Sequence, residues 1–318
     1  MAATDTVSTD RTPPSRGFGA TERIQRARRA EAAFVGLGIV VTSVGAVTLM
    51  ALLGGLLSDG WARLTPEFFG NFPSRRATQA GILAAWVGSL LVVLVCAFVA
   101  VPVGVAAGVY LEEYARRNWI TDVIEINVNN LAGVPSIVYG LLALGVLVYG
   151  LGLGQSVATA GLTLALLILP IVIVATRESV RAVPYSIREA AYGVGATKWQ
   201  VTSHHVLPYA SPGISTGVII GLSRALGETA PLVMIGALSF IAFLPTPPVR
   251  DSFPYISFQW LLDPFTVMPI QMFNWVSRPD PAFQANAAAA GLVLLVMTLA
   301  MNGFAIWFRI RMRSKIKW

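Results

Sequence analysis

A chain of 318 residues would ordinarily divide into about two soluble domains. Its composition excludes that reading: 55% of residues are hydrophobic and 12% charged, and the mean hydropathy is +0.67. So few charges cannot coat a water-soluble surface, and so many apolar residues do not stay disordered. The chain therefore reads as an integral membrane protein.

The net charge of +7 would suit nucleic acid, but in a membrane protein its placement must be read first. The single cysteine, Cys96, lies in an apolar run. It can form no internal disulfide, no Cys/His cluster accompanies it, and it reads as packing.

A span of about 20 apolar residues crosses a hydrocarbon core of about 30 Å. Residues 1–32 are rich in Thr, Ser, Pro and Arg and read as a disordered tail, with an amphipathic approach near Glu22–Arg29. Six predicted spans follow: about Ala33–Leu57, Gly81–Tyr110, Ile124–Tyr149, Val157–Thr176, Ile214–Leu244 and Asn286–Phe308. The first is too long for a signal h-region and is expected to be retained. Residues 33–57 thus form a first helix, 81–308 the main transmembrane domain, and 309–318 a basic tail.

Six spans put both termini on one side. A cytoplasmic N-terminus places seventeen of the 23 Lys and Arg inside, among them Arg23–Arg29, Arg116, Arg177, Lys198 and the basic tail. Only Arg63, Arg75, Arg76, Arg250 and Arg278 fall outside, and Arg224 lies within a span. Both termini are therefore expected in the cytoplasm. The basic charge then has a topological cause, and the nucleic-acid reading falls away.

Between the fourth and fifth spans lies a polar loop, Arg177–Pro212. Ser186 with Glu189 has capping-box spacing and predicts a helix start; Gly193 and Gly195 end that helix after about two turns. Thr197 with Gln200 predicts a second short helix, limited by Pro208. Ala190, Ala191 and Tyr192 would offer another protein a smooth surface. On periodicity alone a capped connector lying along the membrane surface is the favoured reading.

Within this loop Glu189-Ala190-Ala191, three residues, Gly195, nine residues, then His205 and Leu207-Pro208 resemble the EAA loop of binding-protein-dependent ABC transporter permeases. That family usually carries an aliphatic residue at the position of His205, which is expected to pack. In the family this loop is the coupling helix seated on an ATPase subunit. Arg224-Ala-Leu-Gly-Glu-Thr-Ala-Pro231, Gly133-Val-Pro-Ser-Ile-Val-Tyr-Gly140 and the Asp263-Pro-Phe-Thr and Gln271-Met-Phe-Asn-Trp segments are similar to the A-type branch of phosphate ABC permeases; the C-type companion usually continues its GET with Met-Ala. The resemblance runs from about Gly81 to Ile310. It implies an all-α type-1 permease bundle of six transmembrane helices. It further implies a related second permease, two ATPase subunits that bind ATP and Mg, and an external phosphate-binding protein.

Arg224 and Glu228 interrupt an apolar run. A charge at the bilayer centre costs about 2.5–3.5 kcal/mol on insertion scales, so such residues face a bundle interior or water. Four residues apart, they share a helix face and can pair. Pro231 would free a carbonyl near Gly227, suggesting an interrupted helix of the kind that lines a mid-membrane site. Phosphate needs donors to replace its water, and a guanidinium supplies five. Thr229 and Ser223 could add hydroxyls, and Glu228 would hold Arg224 and prevent the anion from being trapped. A purely structural ion pair is the rival reading.

Lesser readings complete the chain. Asp122, Glu125, Asn127, Asn129 and Asn130 would bond neighbouring helices or water, and Pro135-Ser136 would kink the third span. His204 and His205 are too few for a metal site. Trp61, Phe68, Phe69, Trp260, Phe273 and Trp275 read as interfacial anchors. The Pro-rich loop 245–285 reads as an ordered outer cap: a self-contained lid, or a docking face for the binding protein that the resemblance implies. No G-x-x-x-x-G-K-[ST] occurs, so ATP hydrolysis would belong to another subunit, and this chain is expected to be no enzyme and to need no cofactor. The expected activity is permeation in an ATP-driven phosphate importer, against the alternatives of another oxyanion such as sulfate or molybdate, or a passive anion channel.

Overall fold

The computed structural model describes residues 18–247, 249 and 257–313, and among these every regular element is helical. The chain separates into two compact units, Met1–Gly55 and Leu56–Trp318. Most of the first is α1 (Phe18–Gly60), whose most apolar window has no buried residue, and a helix apolar all round that the protein does not bury fits a membrane span. Of the tail drawn at residues 1–32, positions 1–17 lie outside the described residues, and from Phe18 the backbone is helical.

In the second unit α2 (Pro66–Gly70) is capped by the Thr65 hydroxyl, which accepts from the Phe68 amide. Next come α3 (Leu83–Val109), α4 (Trp119–Leu131), α5 (Ser136–Ala143) and α6 (Val157–Arg181). Asn118 and Ser156 cap α4 and α6. The loop helices α7 (Tyr185–Gly193) and α8 (Lys198–Val201) lead into α9 (Leu207–Gly227), followed by α10 (Ala230–Met234), α11 (Met268–Val276) and α12 (Ala282–Arg313).

Five helical segments are long and apolar enough to cross a membrane, and α4 with α5 makes a sixth if that bent pair counts as one. The α6 helix is the centre: α3 and α9 both pack along it, around Val92, Leu164, Ile168 and Phe265. Lipid tails are as apolar as leucine, so close packing of small residues must hold such helices together. Gly104 and Gly108 of α3 accordingly lie against Val172 and Thr176 of α6.

Three readings of the sequence change here. The third span is no kinked rod but two helices bent by 106° across Gly133–Pro135. The fifth ends at Gly227 instead of continuing to Leu244. Phe68, Trp260 and Trp275 are not interfacial anchors but buried: the Phe68 and Trp275 rings lie 5.9 Å apart where α11 packs onto α3 and α12, and Trp260 joins the cluster around Leu164 and Phe265. Arg63 organises that end. Its guanidinium donates to the carbonyls of Ala77, Thr78 and Ala80 and to Asn286 Oδ1 at 2.7–3.0 Å.

Candidate functional site

Pro231 has no amide hydrogen, so a helix running through it would leave the Gly227 carbonyl without its donor. The chain resolves this by ending α9 at Gly227. Glu228 is extended (φ −77°, ψ 128°), and α10 restarts with Pro231 in its first turn, where no donor is needed. The Thr229 carbonyl accepts from the amides of Leu232 and Val233. Thr229 therefore sits at the break itself, although its hydroxyl caps nothing.

Across this break Arg224 Nε donates to Glu228 Oε1 at 3.1 Å. The arginine side chain is 42% exposed and the glutamate 18%. Among the described residues the terminal guanidinium nitrogens have no hydrogen-bond partner, so the fork remains available on its outer side. Ser223 is not brought to this pair: its hydroxyl lies 2.7 Å from the Ile219 carbonyl and 2.5 Å from Asn302 Oδ1, which ties α9 to α12.

The α5 helix closes over α10. A Cβ on Gly140 would stand 2.7 Å from Pro231 Cα, so this contact exists only because position 140 has no side chain. Tyr139, buried beside it, donates its hydroxyl to the Leu131 carbonyl at 2.9 Å and bridges the α4–α5 break. Gly140 and Tyr139 were legible only as parts of a motif, without a role.

At the other end of α3 and α6 the loop helices dock. The Thr197–Gln200 box forms, with Thr197 N donating to Gln200 Oε1 at 2.8 Å. Gly195 adopts φ +85°, the left-handed turn between α7 and α8. The Ser186–Glu189 box does not form; the N-cap position is Pro184, two residues earlier, so Ser186 lies inside the first turn of α7 and cannot cap it. Pro208 does not end a helix either. A wide turn over Thr202–Val206 carries α8 into α9, and Pro208 falls in the first turn of α9.

Within the loop helices Ala191 is buried against Val180, Val201 and Val206, so it belongs to the inner face. Glu189, Ala190, Tyr192, Gly195 and Trp199 are exposed, whereas Leu207 and Pro208 are half-buried. His205, expected to pack, is exposed, because the wide turn points Thr202 and Val206 inward instead.

A network of charges joins these parts. Arg188 on α7 pairs with Glu113 at 2.7 Å, and Arg181 grips Glu112 through both oxygens at 3.1 and 3.0 Å. Arg177 pairs with Glu125 of α4 at 2.8 Å. Among the described residues Asn127 bonds only its own helix, through the Val123 carbonyl. The sequence reading overlooked Glu112 and Glu113, although two adjacent carboxylates closing an apolar helix need cations nearby.

The family described as binding-protein-dependent transport system inner membrane component matches residues 100–314. The chain is 35% identical over 252 residues to the phosphate transport system permease protein PstA of Mycobacterium leprae (strain TN), covering 79% of this chain and 76% of that one. It is 30% identical over 272 residues to PstA 1 of Mycobacterium tuberculosis (strain ATCC 25618 / H37Rv), covering 84% and 83%. In fold it is similar to a chain of a bacterial alginate ABC transporter in complex with alginate pentasaccharide-bound periplasmic protein (TM-score 0.61, 13% identity, 92% and 97% covered). It is also similar to a chain of the MetNI methionine ABC transporter in an inward facing conformation (TM-score 0.54, 16% identity, 71% and 93% covered). With the helix break, the charged pair and the loop helices in place, the chain belongs to the binding-protein-dependent transport system inner membrane component family, within its phosphate transport permeases.

Proposed function

We propose that this chain is the transmembrane permease subunit of an ATP-driven phosphate importer. The observation that carries the reading is the guanidinium of Arg224, neutralised on one side by Glu228 and open on the other, at a helix break inside an apolar run. A fork of donors beside a carboxylate binds an oxyanion while limiting how tightly it is held. The relatives named phosphate transport permeases support phosphate over sulfate or molybdate. A passive channel would not need the exposed, capped α7–α8 elbow.

The partial exposure of Arg224 fits a pathway completed by a second, related permease. The α7 surface, with Glu189 and Ala190 outward, is the docking face for an ATPase subunit, of which the assembly would hold two. The charge bias along the sequence supports cytoplasmic termini and a cytoplasmic α7, leaving α2, α11 and the loop before it to meet an external phosphate-binding protein. Closure of the ATPase dimer would push α7 and switch access to the pathway between the two sides.

The test is uptake of radiolabelled phosphate by cells in which this chain is the sole permease of its kind. Uptake should need ATP and resist excess sulfate. Uptake that survives ATP depletion, or that sulfate suppresses as well as unlabelled phosphate does, overturns the reading.

A further inference from the structure

Arg177 is buried, 6% exposed, and only half satisfied. One terminal nitrogen pairs with Glu125 Oε1 on α4 at 2.8 Å. Among the described residues its Nε has no hydrogen-bond acceptor, and it stands 3.7 Å from Glu112 Oε2, just past the end of α3. A buried donor left without an acceptor costs about 1–3 kcal/mol, so the guanidinium gains by moving toward Glu112 and loses by leaving Glu125. Glu112 is shared with Arg181, which bonds both its oxygens, but it stands close enough to keep the Arg177 charge compensated when Glu125 is left.

The element held by this pair is poorly anchored otherwise. No residue of α4 is buried, and Glu125–Arg177 is its one ion pair to another helix among the described residues. The helix continues across the 106° bend into α5, which rests on α10 directly beyond Glu228. On the opposite side Glu112 neighbours Glu113, the residue that Arg188 of α7 grips.

We propose that Arg177 is a latch between two carboxylates: on Glu125 it holds α4 against α6, and on Glu112 it releases α4 and, through α5 and α10, changes access to Arg224. It is a positioning residue that acts through α4. A push on α7 reaches it through Arg188, Glu113 and the adjacent Glu112, which is a two-state element biased from both ends. The proposal rests on the importer reading, with α7 as the docking face.

The test uses the complete reconstituted transporter with spin labels at Val123 and Ala182, on a Cys96→Ala background, and reads their separation with and without ATP. Phosphate moved per ATP hydrolysed is measured on the unlabelled complex. Glu125→Gln, at a carboxylate exposed enough to spare folding, should give the long separation without nucleotide. It should also lower phosphate per ATP about fivefold or more, within the usual range of coupling factors. The exchanged pair Arg177→Glu with Glu125→Arg restores the α4 contact but sets a carboxylate on α6 against Glu112. It should lock the short separation in every nucleotide state. A Glu125→Gln complex with wild-type separations and wild-type stoichiometry overturns the latch, as does an exchanged pair that still responds to ATP. A wild-type complex that moves no phosphate sinks the importer reading instead, while the separations still judge the latch.

Discussion

Glu113 Oε1 accepts two bonds from the Arg188 guanidinium, at 3.1 and 2.7 Å, and so fastens α7 to the end of α3. The same guanidinium reaches the carbonyls of Val183 at 2.6 Å and Val180 at 2.9 Å. Both side chains are nearly buried, 12% and 9% exposed. Removing one member of such a pair strands the other and costs about 3–5 kcal/mol. Arg188→Ala should lower the melting temperature of the purified complex and with it the recovery of the ATPase. Arg188→Lys, which keeps the charge without the fork, should fall between. A melting temperature unmoved by Arg188→Ala would show that α7 is held by its apolar face alone.

Glu189 lies next in sequence but points the other way. It is exposed on α7, and no hydrogen bond or ion pair to another described residue involves it. Glu189→Lys should therefore leave the melting temperature where it is and weaken ATPase association about tenfold, which corresponds to about 1.4 kcal/mol. Co-purification of the ATPase at graded salt reads this directly. The contrast with Arg188 matters: one residue holds α7 to the bundle and the other is exposed on it. Full ATPase recovery with Glu189→Lys would assign docking to another surface.

How much of this was legible in the sequence depended on whether the physics was local. The Thr197–Gln200 box and the left-handed Gly195 are set by residues a few positions apart, and both formed. The break near Gly227 followed from the missing amide of Pro231. What the sequence concealed was non-local. Hydropathy sees Gly133-Val-Pro135 as a flaw in one span, not as a 106° corner. Phe68 and Trp275 are the same residue types whether they face headgroups or each other, and only the folding back of α11 decides. Ser223 carries a hydroxyl beside Arg224 in sequence, yet one residue is a rotation of about 100° on a helix, which turns it to Asn302. Ser186 has the spacing of a cap, but Pro184 starts the helix before it can serve.

Gly140 gives a steric test of the α5–α10 contact. A Cβ there would lie 2.7 Å from Pro231 Cα and 2.8 Å from the Pro231 carbonyl oxygen, both backbone atoms that cannot turn aside. Gly140→Leu should part α5 from α10 and abolish phosphate uptake, with an overpacking cost of about 1–3 kcal/mol in the folded bundle. Gly145→Ala is the matched control, since a Cβ at 145 meets nothing within 4 Å. Uptake and surface abundance measured together separate lost transport from lost protein. Normal uptake by Gly140→Leu would mean that the contact is not part of the pathway.

The pair at the break offers a test in which two substitutions give opposite signs. An ion pair with one partner 42% exposed contributes at most about 1 kcal/mol, so neither Arg224→Gln nor Glu228→Gln should prevent assembly with the ATPase. Arg224→Gln removes the donor fork, and uptake should disappear; Arg224→Lys should retain a part of it. Glu228→Gln keeps the fork and removes its counter-charge. The anion then binds more tightly and leaves more slowly, so the half-saturating phosphate concentration and the maximal rate should both fall. A structural pair predicts something else, since losing either member would reduce the amount of assembled complex alike and leave the half-saturating concentration unchanged. Initial uptake rates across a range of phosphate concentrations, normalised to complex in the membrane, decide between them.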